Sequence, residues 1–218
     1  HEAHELYSLG RDGVINKWDL EAGTLLSAIP TGEKIRAISI NEAANHIVGA
    51  SLSGSIFMWN LQGGGKQLLT DDKDSYYAVN QSPDGRYIAA GDKNGYVKIW
   101  DAATKELVTV LEGQNARINQ IVFSNNNKMI AAASSDKSVQ VWHLDSFNEQ
   151  PLMLDDHDWW VFSIAFSPDN QYLISGCSDR LIRKWPLDTQ TMADEIKEKM
   201  SRNMSLKEWQ RYVAEDIE

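Results

Sequence analysis

The chain of 218 residues has one cysteine, Cys177, and a single thiol excludes an internal disulfide framework. Its ordinary place is that of a small buried strand residue. Positive charge is scarce: 21 Lys and Arg stand against 31 Asp and Glu, for a net charge of −10. Such a surface repels phosphate backbones, so no nucleic acid is expected as a partner. No apolar run approaches the roughly 18 residues of a spanning helix, so this segment is not expected to insert in a membrane. The opening His1-Glu2-Ala3-His4-Glu5 has neither the basic start nor the apolar stretch of a signal peptide. The lone thiol fits a reducing compartment such as the cytoplasm but does not exclude the periplasm. Dinucleotide fingerprints and EF-hand loops are also missing. Gly63-Gly64-Gly65 is followed by neither the Lys-Ser/Thr nor the helix start of a phosphate loop, and reads as an outer hairpin.

What is present is a repeat. Trp18, Trp59, Trp100, Trp142 and Trp185 are separated by 41, 41, 42 and 43 residues. Six residues before each stands a turn-former: Asp12, Ser53, Asn94, Asp136 and Asp179. Each Trp closes a run that alternates apolar and polar residues, preceded by a tight turn and a short apolar run. A period of about 40 to 45 residues with Trp at constant phase is the signature of a β-propeller. Turn chemistry repeats too, in Ser82-Pro83-Asp84-Gly85, Ser124-Asn125-Asn126-Asn127 and Ser167-Pro168-Asp169-Asn170. Pro suits the second position of a type I turn, and Asp, Asn and Gly suit the rest.

With strands a to d counted from the inside of a blade outward, the chain supplies b-c-d, three complete sets, and a final a-b-c. The fold class is therefore all-β: a propeller of about five blades, the first and last incomplete. The two leftover sets cannot complete each other, and exposed sheet edges are avoided in folded proteins. The expectation is a larger ring of seven blades, completed by missing N-terminal residues or, less readily, by another chain. The propeller occupies residues 1–187. Residues 188–218 change to helical spacing, with apolar positions at Met192, Ala193, Ile196 and Met200 and a capping box in Ser205-Leu206-Lys207-Glu208. A second helix placing Leu206, Trp209, Tyr212 and Val213 on one face is too short to stand alone, so this extension is expected to dock on the propeller.

The repeat resembles the WD40 family, on Trp18-Asp19, Trp59-Asn60, Trp100-Asp101, Trp142-His143 and Trp185-Pro186 together with the Ser-Pro-Asp-Gly turns. The tail Arg202-Asn203-Met204-Ser205-Leu206-Lys207-Glu208-Trp209 is similar to the ending of bacterial, Bacteroidetes-type multidomain WD40 proteins. That similarity implies a propeller placed behind a signalling or enzymatic domain. The family's hydrogen-bonded tetrad of His, Ser/Thr, Asp and Trp falls on His157, Ser175, Asp179 and Trp185. The first blade keeps Ser8, Asp12 and Trp18. Gly49, Ala90 and Ala132 hold the Ser position in the middle blades, whose networks are expected to be broken. In the tetrad, Asp179 is expected to take its donors from the imidazole and indole.

Ser175, His157 and Asp179 are also the residue types of a hydrolase triad, but the repeat accounts for each and Ser175 falls on a strand, not a nucleophile elbow. His143, Asp145, Asp155, Asp156 and His157 match no metal-ligand spacing. No catalytic residue, metal site or cofactor is expected. In the resembled family, partners meet the face where strand a begins. The residues there are Lys34, Arg36, Tyr77, Arg117, Asn119, Trp160 and Phe162, an Arg-rich and aromatic set in an acidic chain. Arg and Trp or Tyr are typical interface anchors. Of Trp159 and Trp160, one could instead lie between blades, since strand neighbours point opposite ways. The expected function is a non-catalytic protein or peptide recognition module, a scaffold within a larger bacterial signalling or regulatory protein. The alternative is a propeller sensing a small molecule or sugar in its central channel and regulating a fused effector enzyme.

Overall fold

A computed structural model describes residues 4–61, 65–188 and 191. The chain divides into two compact units, residues 1–185 and 186–218. Both expected tail helices, the bacterial-type tail motif, Gly63 and Gly64 lie outside the described residues.

The first unit is built from antiparallel sheets. Sheet 1 holds β1 (Glu5–Leu9), β2 (Val14–Asp19) and β3 (Thr24–Pro30). Sheet 2 holds β4 (Ile35–Asn41), β5 (His46–Ser51), β6 (Ile56–Asn60) and β7 (Gln67–Thr70). Sheet 3 holds β8 (Tyr76–Gln81), β9 (Tyr87–Asp92), β10 (Val97–Asp101) and β11 (Leu107–Leu111). Sheet 4 holds β12 (Ile118–Phe123), β13 (Met129–Ser134), β14 (Val139–His143) and β15 (Leu152–Leu154). Sheet 5 holds β16 (Val161–Phe166), β17 (Tyr172–Cys177) and β18 (Ile182–Pro186). In every sheet, strands neighbour each other in chain order, as blades joined by hairpins must. The inner strands β4, β8, β12 and β16 lie beside one another in succession.

The core sits between sheets. Val48, Ile56 and Met58 of sheet 2 meet Tyr76, Ile88 and Trp100 of sheet 3. Val97, Ile99 and Leu111 of sheet 3 meet Ile118, Ile130 and Trp142 of sheet 4. Ile15 of sheet 1 meets Ile35, Phe57 and Trp59 of sheet 2. In these three clusters the repeat Trp belongs to the later sheet and fills the gap to the one before it. The outer strands are largely exposed, Leu25, Leu68 and Leu107 among them.

The turns repeat as their chemistry dictates. Gly85, Asn127 and Asn170 each donate a backbone N–H to the Ser three residues earlier, at 2.9 to 3.0 Å. All three adopt left-handed φ, 73°, 55° and 60°, which Gly and Asn tolerate best. The side chains of Asn127 and Asn170 then reach the preceding blade, accepting from the Asp84 and Asn125 N–H groups at 3.1 and 2.8 Å. One residue type thus serves both the turn and the stacking of blades.

Candidate functional site

Each inner strand carries the same irregularity. Pairing steps from Ile35 to Ala37, from Tyr76 to Ala78, from Ile118 to Gln120 and from Val161 to Ser163. The residues passed over are Arg36, Tyr77, Asn119 and Phe162, all four in the candidate partner face. A bulge removes its extra residue from the ladder and re-aims its side chain. No signal in the sequence marks these bulges, yet they are what gives the four positions their common direction.

Three successive sheets converge on Tyr77. The Arg36 guanidinium lies 3.8 Å from its ring centre and that of Arg117 lies 5.1 Å away. Arg36 also donates to the Tyr76 carbonyl at 3.4 Å. Arg117 Nε donates to Asn119 Oδ1 at 2.9 Å, and Asn119 donates in turn to Ser135 Oγ at 3.0 Å and to the Val161 carbonyl at 2.8 Å. Asn119 thereby fixes Arg117 and ties sheet 4 to sheet 5. Among the described residues neither guanidinium meets a carboxylate, although Lys17, Lys66, Lys98 and Arg183 all do. Lys34 is exposed just before β4.

Trp160 and Phe162 form an edge-to-face pair 6.2 Å apart, each about half exposed. Trp159 and Trp160 are 59% and 48% exposed, with no blade beyond sheet 5 among the described residues. β16 starts only at Val161, so both residues precede the strand and its alternation does not bind them. Trp159 lies 5.8 Å from the Lys137 ammonium.

The four tetrad residues divide differently from the family template. Ser175 Oγ is the hub, 2.8 Å from His157 Nε2 and accepting from Trp185 Nε1 at 2.8 Å. The imidazole and indole lie 5.2 Å apart. Asp179 takes other donors, the Leu181 N–H at 2.8 Å and Arg183 at 2.6 Å. The expectation that Asp179 depends on the imidazole is therefore corrected; a cation four residues along the chain outcompetes a neutral ring. Burial opposes ionisation of Asp179, but the Leu181 N–H, Arg183 and the Cys177 thiol outweigh it and hold its pKa down at about 2. Burial, helped by the Arg183 charge, pushes the His157 pKa down, so its imidazole is neutral at pH 7. Its Nδ1 is buried beside the Lys137 backbone, short of good hydrogen-bond geometry.

This geometry disposes of the triad. Ser175 is fully buried on β17, its oxygen already accepts an indole N–H, and the carboxylate is committed to Arg183. No substrate carbonyl can approach. Among the described residues no group of three or more His, Cys, Asp or Glu is arranged to hold a metal ion.

In the middle blades, which lack the tetrad's Ser, the residues at the His position make other bonds. Eighteen residues before the Ser position stand Thr31, Asp72, Gln114 and His157, and each is used. Thr31 Oγ1 donates to the Gly13 carbonyl at 2.7 Å. Asp72 accepts from Tyr76 Oη at 2.5 Å and from Lys98 at 2.7 Å. Gln114 Nε2 donates to the Ala132 carbonyl at 3.1 Å. The constant 18-residue offset was the sequence signal that could have found them. At Gly49 there is no room for the family's Ser, since a Cβ would fall 2.8 Å from the Trp59 ring.

Sheets of three and four strands stacked through their inner edges, with a Trp of constant phase closing each blade, define a partial β-propeller. The chain belongs to the WD40 family: the profile "WD domain, G-beta repeat" matches residues 66–101, 105–143 and 148–186. It is 30% identical over 151 residues to the WD repeat-containing protein 26 homolog of Arabidopsis thaliana, covering 66% of this chain and 26% of that protein. It is 34% identical over 109 residues to the small ribosomal subunit protein RACK1y of Oryza sativa subsp. japonica, covering 50% of this chain and 32% of the relative. To the LST8 homolog of Drosophila melanogaster it is 27% identical over 159 residues, 66% of this chain and 49% of that one. The chain thus spans about a quarter to a half of the length of these relatives.

Proposed function

We propose that this chain is a non-catalytic recognition module that presents the Arg36–Tyr77–Arg117 face to a protein or peptide. The observation that carries this reading is the convergence of three blades on Tyr77 through two bulge residues and Arg117. A face built from strands loses little conformational entropy on binding. Relatives named as WD-repeat and ribosomal-subunit proteins are in keeping with a role in assembly. A bacterial signalling setting draws on the tail motif alone, and the relatives named above are plant and animal proteins. Among the described residues β1 has no inner neighbour and β18 no outer one, which favours completion of the ring by further strands.

Replacing Arg36, Arg117 and Trp160 together by Ala is the test. Affinity enrichment from the native source, compared quantitatively with the unaltered chain, should lose its specific proteins while the unfolding midpoint holds. Full retention would contradict the face.

A second reading, a small-ligand sensor, finds support in a groove of about 230 Å³ lined by Ser39, Tyr77, Asn80, Asn119 and Gln120. The groove is small for a ligand site, and its amides already serve the fold. Asn80 donates to the Ile121 carbonyl at 2.7 Å, and Gln120 Oε1 accepts from the Ile164 N–H at 2.7 Å. The partner-protein reading therefore leads.

A further inference from the structure

From the same face we infer the chemistry of what it binds: a peptide segment bearing an anionic side chain, a phosphomonoester or a carboxylate, seated between Arg36 and Arg117. The inference rests on the reading of this face as the partner surface.

The chain carries a net charge of −10, and several of its cations are held by carboxylates. Lys98 holds Asp72 and Asp74, Lys66 holds Glu33, Lys17 holds Glu5 and Arg183 holds Asp179. Arg36 and Arg117 come from sheets two blades apart and meet over one ring, without such a partner among the described residues. Placing two like charges against one side chain is unfavourable unless something offsets it. The electron-rich face of Tyr77 offsets part. An anion reaching both guanidinium forks would offset the rest, and Arg is the residue whose planar fork matches carboxylate and phosphate oxygens.

The arrangement is also prepared in advance. The bulge at Tyr77 lifts the ring out of the β8 ladder, and the bulge at Arg36 does the same on β4. Asn119 holds Arg117 at Nε, which leaves the two terminal nitrogens of that fork to face a ligand. These contacts reduce what must be ordered on binding, which favours affinity. Attached to a peptide, the anion would bring neighbouring residues toward the exposed Trp160–Phe162 pair, one blade further on. The ligand is thereby a charged residue within a chain rather than a free ion.

The test is calorimetric titration of the whole chain with a set of short synthetic peptides. They are identical except for a central phosphoserine, glutamate or serine next to a leucine, and inorganic phosphate is titrated alongside. The phosphoserine and glutamate peptides should each bind about tenfold or more tightly than the serine peptide, the gain expected of charge-assisted bonds. Arg36→Met and Arg117→Met should each remove most of that preference. Tyr77→Leu should weaken binding and Tyr77→Phe restore it, because the ring face rather than the hydroxyl positions the two cations. Near-ultraviolet circular dichroism of each variant establishes that the fold is kept.

Equal affinity for all the peptides, lost in the Arg variants, would overturn the anion assignment and leave the partner face standing. Charge-selective binding that survives both Arg substitutions would overturn the site itself. Inorganic phosphate binding as tightly as the phosphoserine peptide would overturn the peptide assignment. Absence of binding by every probe at about millimolar concentration would overturn the inference, while the triple alanine variant separately judges the face.

Discussion

His157 shows how a single residue is fitted to its blade. Its Nε2 and the Trp185 indole meet on Ser175 Oγ, in a site closed to solvent. His157→Ala strands Ser175 rather than Asp179, whose donors are Leu181 and Arg183. Losing one partner of a buried polar group costs about 1–3 kcal/mol, which a urea titration would read as a lower midpoint at unchanged slope. Gln stands at the equivalent place in the fourth blade, where Gln114 donates to the Ala132 carbonyl, so His157→Gln should recover part of the loss. The same residue predicts a pH effect. Burial first, then Arg183, lower the folded-state pKa of His157 from 6.5, while the Lys137 backbone, Asp179 and Asp156 oppose this. The unfolded chain therefore takes up the proton first as pH falls. The contribution is present above about 6.5 and lost as pH falls through the lower folded value. Unfolding midpoints at pH 7 and pH 5 should lie further apart for the parent than for His157→Gln. Equal separations would show that the imidazole is not buried as neutral.

At the scale of elements, amide side chains join the blades across steps of 41 to 44 residues. Asn80 reaches Ile121, Asn119 reaches Val161, Gln120 holds Ile164 and Gln81 reaches the Ser39 carbonyl. Each bonds a backbone group of an inner strand in the neighbouring blade. Asn80→Ala should cost about 1–3 kcal/mol and raise hydrogen exchange at the β8–β12 contact before the outer strands respond. Uniform exchange across all strands would argue that the amide does not join blades. The strands themselves were legible in the sequence because alternation and Asp-Gly or Ser-Pro-Asp turns are local signals, and β2, β6, β10, β14 and β18 all carry the Trp the period demands. The bulges were not legible, since Arg36, Tyr77, Asn119 and Phe162 share no residue type. The bonds of Asp72 in the third blade were hidden for another reason. Asp72 and Lys98 are 26 residues apart, and only the folded sheet places them 2.7 Å from each other. The residues of the candidate face were named from the family resemblance together with the phase of the repeat. Its chemistry, two cations on one ring, came from geometry that spacing cannot contain.

For the whole molecule the governing fact is that stacking buries both faces of a middle blade but only one face of a terminal one. Sheet 3 lies between two neighbours, and Tyr76, Ile88 and Ile99 are sealed from solvent. In sheet 5 the pattern opens: Phe162 is 46% exposed, Leu181 53% and Ile182 80%. Among the described residues β18 also has no outer neighbour, so backbone N–H and C=O groups of that strand face outward beside the exposed Leu181 and Ile182. An unprotected edge carrying an exposed β-branched residue, Ile182, is a template for pairing with another strand. The isolated chain should therefore associate as its concentration rises, which sedimentation velocity would detect as a shift to larger species. Ile182→Lys places a charge on that edge, the device by which natural sheets avoid such pairing, and should hold the chain monomeric at the same concentration. Association unchanged by the substitution would place the self-contact elsewhere. A parent chain that stays monomeric throughout would mean that this edge is protected in the intact fold.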